Sequence, residues 1–447
     1  MTPMTDAARL MKASRPRSPE VHSIVTSLGE HAFVSNGSRI YDLDEATAAD
    51  LQRHLGAADG VEELLERLGL GRVVSMQPEV GWTPPVRALS LAVSQACNLA
   101  CGYCYAKGGS FGAPATNMSG EIAEKAVRRL FDDVPVGDRV RLAFIGGEPL
   151  VNRPVIRRAT QLASELAAAR GIDLGFSITS NGTLLQADDA EFFERYGFAV
   201  TISIDGVGAT HDRVRHFADG KGSFDRIMAN IRPLLAVQRR MQVSARVSVT
   251  PVNMDIFETV SDLIGRGFHS VGVSPVLHSP AGTHDLDRGQ LETLLQAMTR
   301  CGEEFIRQTI VGCRYPFENL SIALRELHRG THRPYPCGAG AGYLGVSASG
   351  DLAACHRFVN DPAGAMGTLA GGIDRSLRTA WLEDRHVDRQ EPCRSCWARY
   401  LCGGGCHHEV IHRGRPACDF IRGWLQYCIE AYIRLIDACP EYFEADG

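Results

Sequence analysis

From Arg87 to about Ser274, short apolar runs of strand length alternate with longer stretches whose apolar residues recur at helical spacing. The strand-like runs are Ala88–Val93, Val140–Ile145, Leu174–Thr179, Ala199–Ile204, Val243–Thr250 and Ser270–Ser274. Helical periodicity marks Ser119–Phe131, Val155–Ala169, Ser223–Val237 and Asp255–Arg266, with Ser119 and Ser223 standing as helix starts. Six β-α alternations predict an α/β fold with a parallel sheet and right-handed crossovers, a partial (β/α)6 barrel of the TIM type. Chemistry in such a barrel belongs at the C-terminal ends of its strands.

The flanks follow other patterns. Residues 1–80 predict a small α+β unit: strands at His22–Val25, Ala32–Val34 and Ile40–Tyr41 around the turn Asn36-Gly37, then helices Ala46–Leu55 and Val61–Leu68. Pro78, Pro84 and Pro85 mark a linker to the barrel, residues 86–280. Residues 281–336 read as a helical connector, with Leu291–Gln308 its clearest helix. Residues 337–447 are loop-rich and close on a helix at Trp424–Ile436.

Composition adds exclusions. Apolar residues are 44% and charged residues 22% of the 447, both ordinary for a globular chain. A net charge of −5 argues against a nucleic-acid binder. No run approaches the roughly 18 apolar residues of a membrane span, and the first residues lack the apolar stretch of a signal peptide, so a cytoplasmic protein is expected. The informative number is fourteen cysteines, which in a reducing compartment point to metal ligation before disulfides.

Their spacing is patterned. Cys97, Cys101 and Cys104 form C-x3-C-x2-C directly after the first barrel strand. Cys393, Cys396, Cys402 and Cys406 form C-x2-C-x5-C-x3-C, with Cys337 and Cys355 ahead and Cys418 behind. Thiolates are the usual ligands of iron–sulfur clusters, and three in a tight loop leave one iron open to a small molecule. A structural zinc also satisfies four cysteines, but seven downstream cysteines exceed one zinc site.

The first group, with aromatic Tyr103 before its last cysteine, resembles the signature of radical S-adenosylmethionine (SAM) enzymes. The downstream seven resemble the SPASM extension, which in that family holds two auxiliary [4Fe–4S] clusters. The resemblance covers roughly residues 86–430 and implies three [4Fe–4S] clusters and S-adenosyl-L-methionine. It assigns Cys393, Cys396, Cys402 and Cys418 to an outer auxiliary cluster and Cys337, Cys355 and Cys406 to an inner one. The inner set is one thiolate short: Gly330–Pro336, where relatives often place it, has no cysteine, so either distant Cys313 reaches in or one iron stays open. Cys301, Cys428 and Cys439 read as small buried hydrophobes.

Cofactor contacts follow from the same resemblance. Gly146-Gly147-Glu148-Pro149 after the second strand matches the motif that holds the amino group of SAM; glycines permit close backbone approach and a carboxylate accepts from an ammonium. Ser180 and Asn181 after strand three, and Ser203 and Asp205 at the end of strand four, are placed toward the ribose, although ordinary turn chemistry explains such residues too. Arg246 on strand five resembles the arginine that pairs with the cofactor carboxylate. Reductive cleavage of SAM would yield a 5′-deoxyadenosyl radical that takes a hydrogen from the substrate, the protein supplying position and shielding.

Two other motifs are weaker. His408-Glu409-Val410-Ile411-His412 fits H-E-x-x-H, but it lies within the cysteine array and Arg413-Gly414 interrupts a helix. Gly340–Gly345 fits G-x-G-x-x-G, but a strand pattern at Leu344–Ala348 follows it instead of a helix.

The expected function is a peptide maturase that cross-links a ribosomally made precursor, a thioether first and a C–C or cyclophane link next. Cys355-His356-Arg357-Phe358 and Cys396–Cys406 look similar to thioether-forming maturases. Residues 1–80 resemble a RiPP recognition element, a module that binds a leader peptide as an added strand; a unit that merely packs against the barrel is the alternative. Implied partners are a leader-bearing precursor and a reductase or flavodoxin-type electron donor, with a monomer expected. The main competing function is sulfatase maturation, oxidising Cys or Ser to formylglycine. That group carries an aspartate base where this chain has His356.

Overall fold

Residues 6–57, 60–70 and 83–444 are described in the computed structural model; Pro78 of the expected linker lies outside them. They divide into two units, one of Met1–Gly81, Asp287–Cys337 and Glu383–Gly447, the other of Trp82–Leu286 and Gly338–Leu382.

In the first unit an antiparallel meander runs β1 (Val21–Thr26), β2 (Gly29–Val34) and β3 (Arg39–Leu43). Gly37 and Ser38 turn β2 into β3 with positive φ, as the Asn36-Gly37 signal predicts. One sheet face sends Val21, Ala32 and Val34 into a core with Leu51, Leu55, Val61, Leu64 and Leu65 of helices Glu45–Ala57 and Val61–Arg67. The remainder is helical. Cys418–Ala438 packs against Ala7–Ala13, Arg288–Ile310 and Glu318–His328, and Arg434 grips Glu303 through two 2.8 Å bonds.

In the second unit β4 (Ala88–Ser94), β5 (Arg139–Gly146), β6 (Asp173–Ser180), β7 (Ala199–Ser203), β8 (Gln242–Val249) and β9 (Val271–Pro275) pair in parallel and in sequence order. The partial (β/α)6 barrel is therefore present. β8 shows how sequence sets its faces: Val243, Ala245, Val247 and Val249 are buried, while Ser244, Arg246 and Ser248 alternate with them on the other face. β10 (Tyr343–Val346) adds in parallel to β4. β11 (Asp351–Ala353), β12 (Ala365–Thr368) and β13 (Gly372–Ile373) extend that edge antiparallel.

Helices Gly120–Leu130, Arg153–Arg170, Phe224–Val237 and Ile256–Gly265 fill the expected positions, and Ser119 Oγ accepts from Ile122 N as a cap. Helix Ala187–Tyr196 has no counterpart in the sequence expectations. It begins at a glutamine, a weak start signal, and Asp189 closes the first turn by accepting from Gln186 N. The Gly340–Gly345 segment runs into strand β10, so it opens no helix for a dinucleotide. The H-E-x-x-H residues lie on a helix of seven residues, His407–Arg413, stopped at Gly414. Among the described residues no helix is long and apolar enough to cross a membrane.

Candidate active site and iron–sulfur sites

The loop after β4 carries Cys97, Cys101 and Cys104 close enough for their thiols to influence one another electrostatically. Burial raises the Cys97 thiol and pushes Cys101 up to about 11. Leu99 N and Asn181 Nδ2 both donate to Cys97 Sγ, at 3.4 and 3.7 Å. Crowded thiols, of which Cys97 already receives two hydrogen bonds, with no disulfide among them, suit a cluster that takes them as thiolates.

The Gly146-Gly147-Glu148 loop lies directly on this one. Gly147 N donates to Ser94 O and Glu148 N to Ala96 O. A Cβ on Gly147 would stand 2.4 Å from Ala96 O, and one on Gly109 (φ +97°) would stand 2.7 Å from Gly147 Cα and 2.8 Å from Cys97 Cβ. These glycines are thus required by backbone packing around the cysteine loop, a reason independent of any ligand.

Glu148 is fully buried. Its carboxylate accepts from Leu150 N (3.0 Å), Ser180 Oγ (2.8 Å) and Asn181 N (2.7 Å), filling most of its acceptor sites. Burial raises its pKa against these donors. The residue therefore ties the β5 loop to the β6 loop. Asn181 continues the tie through Nδ2 to Asn98 Oδ1 (3.0 Å) and to Cys97. Ser180 is committed to Glu148 and to Gly182 N.

Across the loop, Tyr103 OH and Arg215 Nη1 converge on Asp205 Oδ2, and Arg215 also donates to the Tyr103 hydroxyl. Asp205 further accepts from Ser248 N at 2.7 Å. Burial holds Tyr103 well above its ordinary pKa, so it stays a phenol. Burial works against the Arg215 cation, but Cys101, Tyr103 and Asp205 outweigh it and keep the guanidinium charged. Sequence reading missed Arg215; nothing in its local pattern separates it from the chain's other arginines. Ser203 ends β7 directly opposite Arg246 of β8. The Arg246 side chain is exposed and reaches Ser274 Oγ at 3.3 Å.

Cys393, Cys396, Cys402 and Cys418 assemble in the first unit, each thiol within electrostatic reach of others in the set. Burial raises Cys393 and Cys396 and pushes Cys402 up to about 11. Ala398 N–H and Arg422 donate to Cys396, Gly404 N–H donates to Cys402, and Arg415 lies beside Cys393. Four neighbouring thiols, Cys393 buried and the other three half-buried, with N–H donors on Cys396 and Cys402 and two cations beside them, fit a negatively charged cluster. Gly403 (φ +67°) brings this loop against Pro336: a Cβ there would meet Pro336 N at 2.3 Å. Of the inner set, Cys337 is exposed and Cys406 half-buried in the first unit, and Cys355 is buried in the second. Cys313 is exposed beyond helix Arg288–Ile310. Cys301, Cys428 and Cys439 are buried, but the Cys439 thiol departs from a purely hydrophobic role by donating to Glu441 Oε1 at 3.2 Å.

Three crowded thiols after the first strand of a partial barrel are what an iron–sulfur site in an enzyme of the α/β barrel class would need. Residues 91–264 match the Radical SAM superfamily model, and the chain is an enzyme of that superfamily. A cysteine-type anaerobic sulfatase-maturating enzyme of Clostridium novyi is 27% identical over 352 residues, 72% of this chain and 89% of that one. An uncharacterized protein of Archaeoglobus fulgidus is 25% identical over 352 residues, 75% of this chain and 79% of that one. The fold is shared with anSMEcpe bound to AdoMet and the Cp18Cys peptide (TM-score 0.65, 18% identity, 80% of this chain and 100% of that one). It is also shared with Streptococcus suis SuiB bound to S-adenosylmethionine (TM-score 0.50, 16% identity, 90% and 98%).

Proposed function

We propose that the chain is a radical SAM/SPASM maturase that cross-links a ribosomally made precursor peptide, a thioether being the favoured bond and a C–C or cyclophane link the next. The N-terminal sheet carries this reading. Among the described residues β3 pairs with β2 alone in its sheet, so its outer edge is where a leader strand would add. Half-buried Tyr41 and Leu43 on β3, with Leu68 and Leu70 nearby on the same core, offer apolar contacts for alternate side chains of such a strand. A protein of the same fold seen with AdoMet and a peptide together supports a peptide substrate.

Cys97, Cys101 and Cys104 would hold the catalytic cluster. Tyr103, Gly146, Gly147, Glu148, Ser180, Asn181, Ser203, Asp205 and Arg246 form or brace the SAM site. The bound cluster and SAM supply a 5′-deoxyadenosyl radical; the chain binds, orients and shields. Cys393, Cys396, Cys402 and Cys418, and separately Cys337, Cys355 and Cys406, would hold two auxiliary clusters able to supply electron-accepting capacity; the implied partner is a flavodoxin-type reductase, and the enzyme would act as a monomer.

Sulfatase maturation is the second reading, and the sulfatase-maturating relatives favour it. Against it stands His356, at the place where that group carries an aspartate. The ring bonds Tyr343 OH at 2.7 Å, the same hydroxyl bonds Ser90, and burial lowers the histidine pKa to about 4. The test is anaerobic turnover with two substrates: the product of any short open reading frame found beside this chain's gene, and a sulfatase peptide bearing the target Cys or Ser. Loss of two hydrogen atoms from the first, dependent on its leader, supports cross-linking. An aldehyde on the second, with the first unchanged, reverses the choice.

A further inference from the structure

The N-terminal sheet has a second face, and its partner is a segment lying between two cysteines of the outer set. Trp397, directly after Cys396, is fully buried. Its indole stacks on His22 at 4.1 Å with 5° between planes and meets Phe33 edge-on at 5.7 Å. His22 and Phe33 are paired across β1 and β2, so they present one face. The polar atoms of the segment are held from the same side. Trp397 Nε1 donates to Ser14 O at 2.8 Å, and Trp397 O accepts from Ser35 Oγ at 2.7 Å. Arg399 donates to Pro19 O and faces Glu20 at 3.3 Å. Burial lowers the His22 pKa to about 4, so the stacked ring is neutral.

The other side of the same segment faces the thiols. Ala398 N–H donates to Cys396, and Gly404 N–H donates to Cys402. Trp397 therefore stands between the ligand Cys396 and the amide that bonds its sulfur. Moving the indole moves the ligand and its hydrogen-bond donor together.

We propose that residues 14–35 are positioning residues of the outer iron–sulfur site, the sheet face formed by His22 and Phe33 acting as the wall that fixes the Cys396–Cys402 loop. The sheet then has two roles on two different surfaces, and this one does not depend on leader binding. It rests on the reading of Cys393, Cys396, Cys402 and Cys418 as cluster ligands. Groups that orient ligands are worth about 10- to 100-fold in metal affinity when removed, and ligand sites tolerate only about 0.5 Å of displacement.

The experiment uses full-length protein reconstituted anaerobically with iron and sulfide. Cys396→Ala, the double variant His22→Ala/Arg399→Gln, and His22→Phe are compared with wild type. The readouts are iron per chain, the EPR spectrum of the reduced protein, and the rate of iron loss to a chelator. The signal that responds to added SAM, from the catalytic cluster in the other unit, is the internal reference. Cys396→Ala should lose about four irons. The double variant should lose iron from the outer cluster about 10- to 100-fold faster, with an altered outer-cluster spectrum and an unchanged reference signal. His22→Phe, which keeps both a stacked ring and Arg399, should lose iron at close to the wild-type rate. Ser35→Ala removes one hydroxyl and carries the same test in a milder form, with an expected acceleration of about 2- to 12-fold. Wild-type loss rates and spectra in the double variant and in Ser35→Ala, alongside iron loss in Cys396→Ala, would overturn the positioning role. Full iron retention in Cys396→Ala would instead overturn the ligand assignment beneath it.

Discussion

Replacing Glu148 with glutamine separates a loop clamp from a cofactor ligand. The carboxylate takes Leu150 N and Ser180 Oγ on one oxygen and Asn181 N on the other. In Glu148→Gln the amide oxygen keeps the first pair, and the NH2 group is left facing the Asn181 N–H. One charge-assisted bond is lost and one buried donor is unpaired, a cost of about 1–3 kcal/mol. Relief of the burial penalty that raises the Glu148 pKa places the expected cost in the lower half of that range. A unit of this size melts about 2–4 °C lower per kcal/mol, so the midpoint should fall by about 2–8 °C. The assay is thermal unfolding of the reconstituted protein without SAM, followed by circular dichroism. SAM affinity should weaken as well, by up to about 10-fold if about 1.4 kcal/mol falls on the bound state, because the two loops tied by Glu148 flank Cys97. An unchanged midpoint without SAM, combined with weakened SAM binding, would show the carboxylate acting on the cofactor directly and refute the clamp.

Other expectations follow from the same contacts. Gly109→Ala places a methyl against Gly147 Cα and Cys97 Cβ at a left-handed φ, and should remove about four irons and all 5′-deoxyadenosine formation. Arg215→Gln strips the only described cation from the Tyr103–Asp205 pair; the midpoint of unfolding should fall by about 3–5 kcal/mol equivalent, as when one partner of a buried pair is removed. His211, lowered to about 3 by burial, contributes stability that is complete above its unfolded value of 6.5 and is lost as pH falls through that value. Acid unfolding should therefore steepen below pH 6.5 by up to about 1.4 kcal/mol per pH unit, and His211→Asn should flatten that limb. Cys313→Ala, at an exposed position, should leave iron content unchanged if the inner site is open, and loss of about four irons would make Cys313 a ligand.

The barrel was legible because its period changes are regular. Each of the six strands is a short apolar run ended by a turn, and the cysteine loop follows the first of them in the chain as in space. What escaped was set by tertiary partners. Arg215 looks like any surface arginine until Asp205 and Tyr103 surround it. Helix Ala187–Tyr196 starts without a strong cap, and Asp189 serves it only because Arg153 also anchors that carboxylate. Sequence reasoning assigned the glycines of the β5 loop to a ligand; their close approach to the Ser94–Ala96 backbone is a further reason for glycine there, which depends on tertiary packing. The Trp397 contacts join positions more than 350 residues apart, and no local pattern carries such a pairing.

Under the proposed function, this radical SAM enzyme acts on a peptide presented through its N-terminal sheet. The most direct measurement is isotope transfer: a uniformly deuterated precursor peptide, taken from any short open reading frame found beside this chain's gene, is incubated anaerobically with enzyme, SAM and reductant. Deuterium in 5′-deoxyadenosine is then read by mass spectrometry. The account predicts deuterium incorporation with the full-length peptide, strongly reduced when the leader is removed or when β3 is blocked by an Ile40→Pro substitution. Deuterium-free 5′-deoxyadenosine from the full-length peptide, with incorporation from a deuterated sulfatase peptide instead, would contradict it.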